Sequence, residues 1–68
     1  MKQVSGKDFC RLLHRAGWQL KRISGSHHIY ARDRRIERIS VLVHGNKPLK
    51  LGLLKHLMKV AGIRPEDI

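Results

Sequence analysis

The chain has 68 residues, 15 Lys and Arg against 5 Asp and Glu, and a formal charge of +10 with a pI near 11.0. A chain this short hides only about 60% of the surface its unfolded form exposes, so it makes one small domain, 1–68, whose small core argues against a cofactor-swallowing enzyme. At 41% apolar residues it is too hydrophobic for a disordered polybasic tail, and its single cysteine, Cys10, excludes a disulfide-stapled secreted miniprotein.

The N-terminal run Met1-Lys2-Gln3-Val4-Ser5-Gly6 has no apolar signal core, and nothing in the chain approaches the ~18 apolar residues of a membrane span. The expected compartment is the cytoplasm. The charge surplus concentrates polyanions, which makes nucleic acid, an anionic membrane surface or an acidic protein the partner classes.

Ser5 followed by Asp8 predicts a capped helix start, with Val4 stapled onto Phe9. Phe9, Leu12, Leu13 and Ala16 recur at helical spacing as one apolar stripe, and Gly17 stops the helix with Trp18 folded back on the last turn. Trp18 to Ile23 alternates like a strand, with Trp18 and Leu20 on one face and Gln19 and Lys21 on the other. Ser24-Gly25-Ser26 breaks it. His27 to Ala31 reads as a second strand, Asp33-Arg34-Arg35 as a turn, and the β-branched run Ile39 to Val43 as a third strand.

His44-Gly45-Asn46-Lys47-Pro48 is loop chemistry. A second helix starts near Gly52, carries the stripe Leu54, Leu57, Met58 and Ala61, and ends at Gly62; Pro65-Glu66-Asp67 adds a final turn. Two singly striped helices and three consecutive strands bury everything only if both helices lie on one face of an antiparallel sheet. The expected fold is therefore a two-layer α+β sandwich, α-β-β-β-α.

Five histidines raise the question of a metal site. The spacing does not support one: His27 and His28 are adjacent on a strand and point to opposite faces, His14 and His56 sit on different helices, and no acidic or Cys cluster joins them. Ser26 beside His27 does not make a nucleophile pair either, because no acid is near in sequence to orient the imidazole. Cys10 reads as a small buried hydrophobe, and Phe9 and Trp18 as core. If Ile29 faces the helices, Tyr30 and His28 face away and His27 shares the inner face at the rim of its strand. A rim histidine beside a Gly-Ser turn is also what a simple strand-end hydrogen bond requires.

The run Gly25-Ser26-His27-His28-Ile29-Tyr30, set between a capped helix and a β-rich stretch ending in His44-Gly45, resembles the HicA (YcfA-like) family of bacterial toxins. The resemblance spans about Ser5 to Asp67 and includes Ala16-Gly17-Trp18 and Ala61-Gly62-Ile63. It implies a fold like the double-stranded RNA-binding domain and the activity of a ribosome-independent mRNA interferase of a type II toxin–antitoxin system. The histidine after Gly-Ser is the catalytic residue of the family, here His27. Where the family usually carries Pro and Thr, this chain has Leu42 and Leu53; both bear on the substrate loop and neither touches His27.

RNA cleavage needs few groups because RNA carries its own nucleophile, the 2′-OH. An imidazole exchanges a proton readily near neutral pH and suits His27 to accept it. Basic side chains offset the charge added at phosphorus. Lys21, Arg22, Ser26, His28, Lys47 and Lys50 are the expected RNA contacts, and His28, His44 and Tyr30 the alternatives for protonating the leaving 5′-oxygen. No metal and no cofactor is expected; the expected partners are mRNA and an acidic HicB-like antitoxin. The same fold and charge support a non-catalytic double-stranded RNA-binding module as the alternative. A membrane-surface peptide is disfavoured, because both apolar stripes are needed for the core.

Overall fold

The structure, a computed structural model, describes residues 3–68; Met1 and Lys2, the start of the run without a signal core, lie outside them. Its elements are α1 (Gly6–Arg15), β1 (Gln19–Ser24), β2 (His27–Ala31), β3 (Arg38–Leu42), α2 (Leu51–Ala61) and a 3₁₀ turn over Pro65–Asp67. The strands form one antiparallel sheet in the order β1-β2-β3. This is the expected α+β architecture.

The helix ends follow from local chemistry. Ser5 is extended (φ −75°, ψ 163°), and its Oγ accepts the Asp8 N–H at 3.1 Å. The Asp8 carboxylate turns outward to Arg11 at 3.3 Å, so the reciprocal half of the box is replaced by an exposed ion pair. At the other end Gly17 takes φ 92°, and the Trp18 N–H reaches back to the Leu13 carbonyl at 2.9 Å. That is a Schellman stop. Gly62 (φ 75°) repeats it on α2, with the Ile63 N–H on the Met58 carbonyl at 3.0 Å. Trp18 joins the two stops: its indole N–H donates to the Ala61 carbonyl at 3.1 Å in a buried contact.

Both helices contact β3, and β1 is exposed along its whole length. The core contains Phe9 and Leu13 from α1, Leu54, Leu57, Met58 and Ala61 from α2, and Ile39 and Val41 from β3, with Val4 and Trp18 at its ends. Cys10 is buried with them. Trp18 thus belongs to the turn before β1 and to the core, while Leu20, expected beside it, is 39% exposed. The β3 strand begins and ends one residue earlier than its β-branched run, because pairing with β2 fixes its limits.

The facing of β2 is the reverse of the expectation. Tyr30 is 1% exposed and its hydroxyl meets His14 Nε2 on α1 at 3.3 Å, so Tyr30, and with it His28, lies on the helix side. His27 and Ile29 lie on the open side. Aliphatic Ile29 loses the inner position because the larger ring of Tyr30 buries more area, and its hydroxyl finds a partner in His14.

Candidate active site at the hairpin rim

A two-residue turn, Gly25-Ser26, delivers His27 to the first position of β2, with Ser24 its partner on β1 and Leu42 its partner on β3. Gly25 alone of the two takes a positive φ, 58°, the pattern of a type II′ hairpin turn. The Val43 N–H holds the Ser26 carbonyl at 2.8 Å. This bond flanks the His27–Leu42 pair and makes it a non-hydrogen-bonded pair, the kind whose side chains approach most closely.

The His27 ring is exposed, and its Nδ1 lies 3.3 Å from the Ser40 hydroxyl. With the ring proton on Nδ1, the imidazole donates to Ser40 Oγ, and the Nε2 lone pair is free to take a proton. Register puts Arg22 (paired with Ile29), Ser24 and Ser40 on the same open face as His27. Lys21 falls at the irregularity between Leu20 and Arg22, where its ammonium donates to Gln19 Oε1 at 3.1 Å.

Beyond β3 the chain turns at His44–Lys47, closed by the Lys47 N–H on the His44 carbonyl at 2.9 Å with Gly45 at φ 51°. It is then anchored beside the start of α1 by the Leu49 N–H on the Val4 carbonyl at 2.8 Å and by a Ser5–Pro48 bridge. Between this segment and β3 opens a pocket of about 300 Å³ lined by Leu42, His44, Lys47, Pro48, Leu49, Lys50 and Leu53. Lys50 is the N-cap of α2, whose first turn holds no acid.

A model of the HicA toxin of bacterial toxin–antitoxin systems matches residues 6–63, from the start of α1 to the stop of α2. The chain belongs to the HicA toxin family. It is therefore a toxin of a toxin–antitoxin system, and an antitoxin partner is implied. No curated protein matches the chain. Among the described residues no helix is long and apolar enough to cross a membrane.

The structure sorts the expected site residues into groups. Arg22 shares the face of His27; Ser26 is held in the turn beside it; Lys47 and Lys50 gather around the pocket that Leu42 shares. The family departures Leu42 and Leu53 line that same pocket, and Leu42, expected not to touch His27, is its direct partner across the β2–β3 ladder, because the register sets it there. His28 is half-buried and paired with Val41 on the other side of the sheet. Tyr30 is sealed under the helices, where burial pushes its phenol well above its ordinary range, so it cannot serve as the acid. Of the three alternatives His44 alone lines the pocket beside Leu42. His14 is on the helix layer against Tyr30, ring centroids 5.3 Å apart. Among the described residues no three His, Cys, Asp or Glu side chains converge as a metal site.

Three contributors escape a reading of motifs. Ser40 requires the β2–β3 register, although its place between inward Ile39 and Val41 already sets it facing out. Gly6 is buried against β3: a Cβ there would overlap the Leu42 carbonyl. Arg35 looks like one more RNA cation. It lies 5.8 Å over the Trp18 ring, pairs with Glu37 at 3.0 Å and donates to the Val60 carbonyl at 3.3 Å.

Proposed function

We propose that the chain is a ribosome-independent mRNA endoribonuclease, the toxin of a pair with a HicB-like acidic antitoxin, acting in the cytoplasm with His27 as its general base. The observation that carries this reading is the exposed His27 ring at a fixed strand end, its Nδ1 against Ser40 and its Nε2 without a hydrogen-bond partner among the described residues.

In the proposed step His27 Nε2 takes the proton of the ribose 2′-OH, and the 2′-oxygen forms a bond to the adjacent phosphorus. The bond from phosphorus to the 5′-oxygen breaks, leaving a 2′,3′-cyclic phosphate. The departing 5′-oxygen takes a proton from His44 or water, and His27 later returns its own to solvent. Arg22 and the lysines Lys21, Lys47 and Lys50, with the Ser26 turn, hold phosphates and offset the charge added at phosphorus. His28, half-buried on the helix side of the sheet, does not share the face of His27.

The purified chain should cut RNA, leave an all-DNA analogue of the same strand bound and uncut, and keep its rate in EDTA. An uncut RNA sends the reading to its alternative, a double-stranded RNA-binding module. Lys47 and Lys50 before α2 favour that alternative, since lysines beside a helix N-terminus grip phosphates. Either reading requires log affinity to fall linearly with log salt, by about 0.7 per neutralised phosphate on single strands. The antitoxin is proposed to silence the toxin by covering the open face around His27; an acidic partner that binds without protecting RNA from cleavage refutes that role.

A further inference from the structure

The pocket between β3 and α2 has walls of a different character from its rim. Leu42 and Leu53 are 40% and 44% exposed and stand outside the core cluster, and with Pro48 and Leu49, which also packs against the core, they make an apolar floor. The ionisable groups around it are His44, Lys47 and Lys50, and none of the lining residues is acidic. An apolar floor with a cationic rim suits a ligand that is flat and poorly hydrated at its centre and anionic at its edge. A nucleotide fits that description: the base packs on apolar surface while its phosphates meet Lys and Arg. The pocket also touches the reacting centre, because Leu42 lies directly across the ladder from His27 in a close, non-hydrogen-bonded pair.

We propose that this pocket holds one unstacked nucleobase of a single-stranded RNA, belonging to a nucleotide next to the phosphate that faces His27. Its position relative to the cut rests on the endoribonuclease reading; its occupant does not. A base drawn into the pocket leaves its neighbours' stack, so a paired duplex is a poor ligand and the strand is turned at the site, which aligns a 2′-OH with its own phosphate. One pocket gives base preference at one position and tolerance elsewhere along the strand. Lys47 and Lys50 fix the flanking phosphates without reading sequence.

The test uses the full chain carrying His27→Ala, so that RNA stays intact, and short single-stranded RNAs in which the fluorescent base 2-aminopurine is moved one position at a time. Fluorescence should rise on binding at one position only. Leu53→Asn and Leu42→Asn should abolish that rise and weaken binding by about 5- to 150-fold, the range of one stacked base. Leu51→Asn, an exposed leucine on the same helix but outside the pocket, should do neither. All three should remain folded by circular dichroism at the assay temperature, because none of these side chains belongs to the core cluster. A rise that survives in both pocket variants, or no rise at any position, overturns the proposal. So does a loss of affinity for an acidic protein partner with RNA binding unchanged, which would give the pocket to the antitoxin. If the His27-intact chain fails to cut RNA while the rise and its loss are observed, the nuclease reading fails and the base pocket stands.

Discussion

Ser40 Oγ on β3 lies 3.3 Å from His27 Nδ1 on β2, a diagonal contact, since the direct partner of Ser40 is Ile29 and that of His27 is Leu42. Ser40 touches no substrate in the proposed reaction. Its effect is to hold the ring orientation in which Nδ1 is engaged and Nε2 can serve as the base, which makes it a positioning residue. A net hydrogen bond is worth about 0.5–1.5 kcal/mol, so Ser40→Ala should lower kcat about 2- to 10-fold with little change in KM. Ser40→Thr, which keeps the hydroxyl, should recover most of the loss. Equal kcat in all three proteins by single-turnover cleavage would show the contact to be incidental.

His27→Ala is expected to lower cleavage by about 10²- to 10⁴-fold, the usual contribution of a positioned general base. The side chain is exposed, so the fold should survive by circular dichroism and RNA affinity should stay within a few fold. Rapid cleavage by the folded variant contradicts the assignment.

Gly6→Ala tests the seat of α1 on β3. The added methyl would meet the backbone of Leu42, carbonyl first and then Val43 Cα; neither can swing aside as a side-chain tip would. Overpacking of this kind costs about 1–3 kcal/mol, here at the residue that pairs with His27. The variant should lose both stability in urea and cleavage rate, whereas Gly52→Ala, in open space on α2, should match or exceed the parent in stability.

Trp18→Phe keeps a ring in the core but deletes the bond to the Ala61 carbonyl and weakens the Arg35 contact. A buried carbonyl left unpaired costs about 1–3 kcal/mol, and each kcal/mol shifts Tm by about 4–8 °C in a domain of this size. Calorimetry should show a lower midpoint with RNA affinity unchanged, because the deleted bond lies at the helix stops. An unaltered midpoint refutes the coupling of the two helix stops through Trp18.

Much of this was legible in the chain because helix stripes and stops are local. Phe9, Leu13, Leu54 and Ala61 declare their faces by spacing, and Gly17 and Gly62 stop both helices where φ must be positive. The Gly25-Ser26 turn placed His27 at a strand end for the same reason. The facing of β2 was not legible, because Ile29 and Tyr30 are adjacent and either can serve a core. The outcome depended on His14 being on α1 to meet a hydroxyl, a relation between elements that periodicity does not carry. Ser40 and the pocket depended on that facing. Arg35 went unread because charge alone does not separate a cation over an aromatic ring from one in solvent.

The buried Tyr30–Cys10 pair gives the fold an alkaline limit. Burial and their mutual hydrogen bond push the phenol far up, and burial raises the Cys10 thiol despite the bond from Tyr30. Both groups hold their protons more tightly in the folded chain than in the unfolded one, whose thiol and phenol titrate near about 8.5 and about 10. Their stabilising effect is therefore complete below the unfolded values and declines as pH rises through them toward the raised folded values. Urea midpoints should be flat in this respect below about pH 8, fall above it, and fall more steeply beyond about pH 10. Tyr30 is the one tyrosine of the chain, so tyrosinate absorbance reports it alone. It should appear together with the loss of the circular dichroism signal, since the phenol ionises only when the helix layer opens. Tyr30→Phe should begin about 1 kcal/mol less stable, having lost the His14 contact, and should lose less stability on going from pH 8 to 11. A tyrosinate transition near pH 10 in a chain that is still folded would refute the seal around Tyr30.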